Sequence, residues 1–312
     1  MTLAFYSHPD CRAHFMGRGH PECPERLDAI ADHLIATGLI DALDAREAPL
    51  ATDEQLQRAH SPLHVAELRE AMASLQQSGE HCQIDPDTSA GPGSWQAALR
   101  AAGAAVAATD AVIDGTAQCA FCAVRPPGHH AERGAAMGFC FFNNVAVAAR
   151  HALDTRGLQR VAVIDFDVHH GNGTEDIIAG DERILMASIF QHPLYPYSGA
   201  VPKGTNMVNV PIPPYGRGEQ VREAIEAMWL PRLEDFKPQM LFVSAGFDAH
   251  REDDLGQLGL VEDDYAWITR QLVAVAERHA QGRIVSCLEG GYNLGALARS
   301  VAAHLRVLGG LD

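Results

Sequence analysis

The chain has 312 residues, 47% of them hydrophobic and 21% charged, with a formal net charge of -16 at pH 7. So acidic a surface repels a phosphate backbone, which argues against nucleic acid as a direct partner and suits a small or peptidic cationic ligand. No apolar stretch is long enough to cross a bilayer, and seven scattered cysteines without a secretory leader point to free thiols in a reducing, cytoplasmic setting.

Residues 1–90 show little periodicity and are expected to supply edge elements and long loops. The stretch 80–93 is too irregular for a plain connection. "SWQAALRAAGAAVAATDAVID" (94–114) reads as an Ala-rich helix, and "CAFCAV" (119–124) as a buried strand. Cys119 and Cys122 have CxxC spacing but no second pair, so they are expected to be buried thiols. A rigid turn, Arg125-Pro-Pro-Gly128, leads to His129 and His130, and "NNVAVAARHAL" (143–153) is the next helix. "RVAVIDFDV" (160–168), "RILMASIF" (183–190), "QMLFVSAGF" (239–247) and "RIVSCLEGG" (283–291) read as strands apolar on both faces. Helices are predicted over 218–236, 263–279 and 294–308. A long irregular stretch, 191–217, separates two of these elements, and long ordered loops are more often functional than not. The alternation predicts one domain over 1–312, an α/β fold with a single open, mostly parallel sheet and helices on both faces.

Chemistry-bearing residues cluster at the carboxyl ends of the predicted strands, where open parallel sheets bind ligands. Asp165, Asp167 and His169 are spaced by two, so on an extended strand they would share a face. Carboxylates beside apolar neighbours are costly to bury unless they are paired or hold a cation. Asp167 and His169 supply oxygen and nitrogen ligands suited to zinc, and Asp248 in "SAGFDAH" can supply a third. Two Asp and one His leave an open coordination position, the pattern of a catalytic site. His170 and His250 are not assigned as ligands. His129 and His130, placed at the same edge, read as a general acid–base pair, with Asp165 and Asn172 as partners for their far ring nitrogens. Tyr292, after Gly-Gly in "CLEGGYN", can donate to an oxyanion.

In this order, "HPECPERL" (20–27), "DPDT", "RPPGHHA", "GFCFFNN", "DFDVHHGNGT", "AGFDAH" and "LEGGYN" make the chain resemble the histone deacetylase family of zinc amidohydrolases, in its class II form. The resemblance covers nearly the whole chain. It implies an arginase-like α/β fold, one zinc held by Asp167, His169 and Asp248, His130 as general base and then acid, and His129 as electrostatic support or proton shuttle. Asp165 would orient His129 and Asn172 would stand beside His130. Tyr292 would polarise the acyl carbonyl. A structural potassium would take the Asp165 side chain, the Asp167 and His169 carbonyls, and Ser188 with the Ile189 backbone. A remoter potassium would fall around Ile178, Asp181 and Ile184.

The resemblance also implies a narrow substrate tunnel. Gly138 and Phe139 would form one wall and Tyr195 the opposite one, with Asp87 or Asp85 at the rim and Arg26 lining an exit channel. Phe141 and Phe142 are expected to pack in the core. The sequence departs from the family pattern after Tyr195, reading Pro-Tyr-Ser-Gly, so Tyr197 is expected to narrow or cap the mouth. Polyamine deacetylases carry an acidic gatekeeper in the segment after "GFDAH"; here that position is Leu255. The expected substrate is therefore an acylated lysine in a peptide or protein, with acetylpolyamine as the alternative. A homo-oligomer is compatible with this reading. A non-catalytic acyl-lysine binder would need a ligand, His130 or Tyr292 to be missing. A dinuclear manganese ureohydrolase would need further bridging carboxylates.

Overall fold

The computed structural model describes residues 2–311. Among them lie ten strands: β1 (Leu3–Ser7), β2 (Leu43–Glu47), β3 (Cys82–Asp85), β4 (Thr88–Ala90), β5 (Cys119–Cys122), β6 (Val161–Asp165), β7 (Ile184–Gln191), β8 (Met207–Ile212), β9 (Leu241–Ala245) and β10 (Ile284–Leu288). Eight form one parallel sheet in the order β2-β1-β5-β10-β9-β6-β7-β8, while β3 and β4 pair as a separate antiparallel hairpin.

The four central strands are buried at every residue, as a parallel sheet covered on both faces requires. Helices Ser94–Ile113 and Asn144–Asp154 pack on each other, and Glu25–Ala36, Glu262–His279 and Leu294–Leu308 form a second group. The first of these is lined with Ala, which lets it approach its neighbours closely. This is the α/β arginase-like arrangement expected.

Three expectations need correction. Residues 1–90 are more regular than their sequence shows: β1 lies inside the sheet, between β2 and β5, and helices Glu25–Ala36 and Pro62–Ser78 follow. The stretch 80–93 is the β3–β4 hairpin, and 191–217 contains the edge strand β8. The helix over 218–236 forms, but it widens to a π-turn at Ile225–Trp229. Pro231 lies two residues beyond it; a proline offers no N–H and crowds the preceding turn, so a wider turn accommodates it.

All seven cysteines are free, and Cys119 and Cys122 are buried as expected. Among the described residues no helix is long and apolar enough to cross a membrane.

Candidate active site

Four adjacent central strands, β5, β10, β9 and β6, deliver the polar residues from their carboxyl ends. β6 stops at Asp165, earlier than the sequence suggests, and the chain turns through 166–170. The Asp167 N–H donates to Asp165 Oδ1 (3.1 Å) and the His169 N–H to Asp167 Oδ1 (2.9 Å). The two-residue spacing therefore builds successive Asx turns, in which each carboxylate holds the backbone two residues on, rather than one face of a strand.

Asp167, His169 and Asp248 each offer a ligand atom, all within 4.8 Å of one another. His169 Nδ1 lies 3.1 Å from both Asp167 Oδ1 and Asp248 Oδ2. The Val168 and Gly290 amides donate to Asp248 Oδ1 and Asp167 Oδ2, which fixes both carboxylates. A Cβ on Gly290 would overlap the same two carboxylates, so only glycine lets the β10 turn pass so close. Burial, then the charge of Asp167, pushes the Asp248 carboxyl up to about 7. Burial opposes charge on Asp167, yet His129 and His169 hold it below the usual carboxylate range. Burial likewise opposes charge on His169, but the two carboxylates raise it to about 10. Two buried carboxylates sharing one imidazole are short of positive charge, and a divalent cation fits that donor set.

Beside this cluster, His129 Nδ1 donates to Asp165 Oδ2 (3.0 Å) and His130 Nδ1 to Asn172 Oδ1 (2.7 Å). The two rings are 4.0 Å apart. Their environments push them in opposite directions. Burial disfavours charge on His129, but Asp167 and Asp165 outweigh it and raise the imidazole well above its ordinary value. Burial, with His129 and His169 nearby, lowers His130 well below it. Glu289, unassigned in the sequence beyond its place before "GGY", accepts from the Gly128 and His129 amides at 2.6 and 3.1 Å and from Ser244 Oγ. It thus ties the His129 turn to β10. Asp253, also unassigned, accepts from the Tyr292 and Asn293 amides and from Leu255 N.

A cavity of about 240 Å³ opens over the cluster, lined by Asp87, His130, Gly138, Phe139, His169, Leu194, Tyr195, Tyr197, Leu255 and Tyr292. Gly138, Phe139, Tyr195, Tyr197 and Leu255 are in this set, as is Asp87 of the two rim candidates, while Asp85 and Arg26 are not; Leu194 joins them. Asp87, at the tip of the β3–β4 hairpin, accepts from the Gly138 amide (3.0 Å). Tyr197 stands 74% exposed at the mouth. Phe141 and Phe142 are core residues, as expected. Burial, then Asp248, raises the Tyr292 phenol, so it stays protonated as a donor. Arg26 lies 5.0 Å from the Tyr292 ring centroid and donates to the Gly291 carbonyl (2.7 Å).

Asp165 pairs in register with Ser188 across β6 and β7, and Ser188 Oγ is buried without a partner. At the remoter position, Asn206 Nδ2 donates to the Ile178, Asp181 and Ile184 carbonyls (3.0, 3.2 and 2.9 Å). The Asn206 amide thus lies beside the three residues around which the remoter potassium is expected. His170 is buried against Phe190, with Nε2 3.0 Å from Glu175 Oε2, and His250 is buried with Nδ1 accepting from the Glu252 amide. Neither joins the metal cluster.

A parallel α/β sheet with two Asp and one His at its strand ends, under a narrow aromatic-walled cavity, is an arrangement that suits a hydrolase. The histone deacetylase domain model matches residues 20–308, and the chain belongs to the histone deacetylase family. It is 41% identical to a histone deacetylase-like amidohydrolase of Pseudomonas aeruginosa over 282 residues, covering 88% of this chain and 73% of that one. It is 36% identical to the polyamine deacetylase HDAC10 of Mus musculus, covering 98% of this chain and 46% of that one. The solved HDA15 HD domain superposes with a TM-score of 0.91 at 33% identity, covering 99% of this chain and 90% of that one.

Proposed function

We propose that the chain is a zinc-dependent deacylase that removes acetyl or other acyl groups from the side-chain amine of lysine in peptides or proteins. The observation that carries this reading is the convergence of Asp167, His169 and Asp248 beneath a cavity that also contains His130 and Tyr292. Zinc held by those three side chains supplies Lewis acidity toward the acyl oxygen and toward water. The remaining work falls to the chain. His130, its Nδ1–H committed to Asn172, presents Nε2 to accept the proton of the attacking water. His129, held by Asp165, keeps positive charge beside the reacting centre. The Tyr292 hydroxyl donates to the oxygen on which negative charge develops, and the His130 imidazolium then protonates the leaving amine. Asp165 and the unpartnered Ser188 hydroxyl, with neighbouring carbonyls of Asp167, His169 and Ile189, would hold a structural potassium.

Phe139 and Tyr195 make walls suited to an alkyl stem, and Leu255 presents an apolar side chain where a cationic amine would want a carboxylate. The likeness to a polyamine deacetylase keeps acetylpolyamine as the second reading. Turnover of an acetyl-lysine peptide against N-acetylputrescine separates the two, with the peptide expected to be the better substrate. Tyr292→Phe should lower kcat on the peptide by on the order of 10²–10³, as loss of an oxyanion donor does elsewhere. Near-full turnover in that variant would refute the mechanism.

A further inference from the structure

We propose that Glu132 is a positioning residue that sets the tautomer of His130 through the Asn172 amide; this rests on the reading of His130 as the base. Asn172 is only 4% exposed, and each end of its amide has one kind of neighbour. Its Nδ2 donates to Glu132 Oε1 (2.9 Å) and lies 3.3 Å from Met137 Sδ; its Oδ1 faces His130 Nδ1 at 2.7 Å.

A carboxylate accepts only, and a thioether is at most a weak acceptor. Both neighbours therefore require the NH₂ end, which leaves the carbonyl end for His130. A carbonyl also accepts only, so the imidazole proton must sit on Nδ1 and the lone pair on Nε2. Turning the amide over would place its NH₂ against Nδ1, move the proton to Nε2 and leave the cavity side without a base. Glu132 thus selects the competent tautomer without touching substrate. Its own backbone is fixed: its N–H donates to the Ala135 carbonyl (2.9 Å), and its carbonyl accepts from His60 Nδ1 (2.9 Å). An aspartate at 172 would accept from His130 as well, but it would set two carboxylates against each other at this distance. The amide is what allows an acid to sit at 132.

The test exchanges the donor and acceptor. In zinc-loaded protein, Glu132→Lys, which offers only donors, should turn the amide and lower kcat on an acetyl-lysine peptide by on the order of 10², with KM little changed. Adding Asn172→Asp should restore activity, because a carboxylate accepts from both His130 and the lysine. Asn172→Asp alone should be impaired, so the double variant should exceed both singles. Glu132→Gln, which can still present an oxygen to Asn172, should keep most activity. Nitrogen-15 NMR of the imidazoles reads the tautomer directly, with His130 Nδ1–H expected in the native protein and Nε2–H in Glu132→Lys. An undiminished kcat in Glu132→Lys, a double variant no better than the singles, or Nε2–H in the native protein would each overturn the proposal. If native protein does not turn over the peptide at all, the deacylase reading fails, while the NMR result still decides the role of Glu132.

Discussion

Leu255 is half-buried at the cavity mouth, two residues beyond Asp253, whose carboxylate holds both the Leu255 and Tyr292 amides. Its backbone is thus fixed to the turn that presents Tyr292, and its side chain adds no charge to a cavity whose lining has Asp87 as its one carboxylate. Leu255→Glu should favour cationic amines over neutral acyl-lysine peptides. A half-exposed carboxylate facing an ammonium is worth about 1 kcal/mol, so the ratio of kcat/KM for N-acetylputrescine over peptide should rise roughly fivefold. An unchanged ratio would show that Leu255 does not meet the amine. At this scale the sequence was legible wherever burial and charge conflict. Asp165, Asp167, His169 and Asp248 stand out because apolar neighbours make an unpaired carboxylate expensive. Glu132 and Asp253 did not, because an acid in a loop is ordinary. The signal that could have found Glu132 is Asn172 itself: a buried amide facing a histidine needs a second partner for its other end.

Elements are most legible where burial makes the sequence monotonous. β5, β6, β9 and β10 are apolar on both faces, and their sequence runs match the strands to within a few residues. β1 is obscure in the sequence because five residues followed by "HPDCR" give too short a run, although both of its neighbours bury it. β8 is interrupted by Asn209 and Pro211, which suit an edge strand and obscure it. Helix Asn144–Asp154 shows how a cap can also be a joint. Asn143 Oδ1 accepts from the Ala146 amide (2.9 Å), its Nδ2 donates to Thr174 Oγ1 (3.0 Å), and its N–H donates to His60 Nε2 (2.8 Å). The residue thus fastens this helix to Asn172–Ile178, which carries the partner of His130. Asn143→Ala should remove the cap and leave the Thr174 hydroxyl without its donor, destabilising the fold by about 2–3 kcal/mol. In urea this should appear as a lower midpoint with an unchanged slope; an unchanged midpoint would show that the joint carries no load.

For the whole molecule, acid stability is set by buried groups that pull in opposite directions. His304 is fully buried between Thr269 Oγ1 (2.7 Å) and Ser286 Oγ (3.0 Å), and burial pushes its imidazole down to about 3; His60 is likewise lowered to about 3 and His14 to about 4. Each binds a proton in the unfolded chain at 6.5 but resists one in the fold. Its contribution to stability is therefore complete above pH 6.5 and is lost as the pH falls from there toward the folded value. Asp248 and Glu289, raised to about 7 by burial, act with the opposite sign, since the fold takes up their protons before the unfolded chain does. The net slope mixes these opposing effects, but a single histidine can be isolated. His304→Gln removes one titrating group while leaving a side chain that can still bond Ser286 or Thr269. The native protein should be the more stable at pH 7.5. That advantage should shrink by about 1.4 kcal/mol per pH unit between pH 6 and 4 as the native fold alone resists protonation. Urea midpoints of both proteins across this range, in chelator so that metal release adds nothing, measure the difference. A gap that stays constant with pH would mean that His304 takes up its proton without unfolding, and that the seam between its helix and β10 is more polar than its packing indicates.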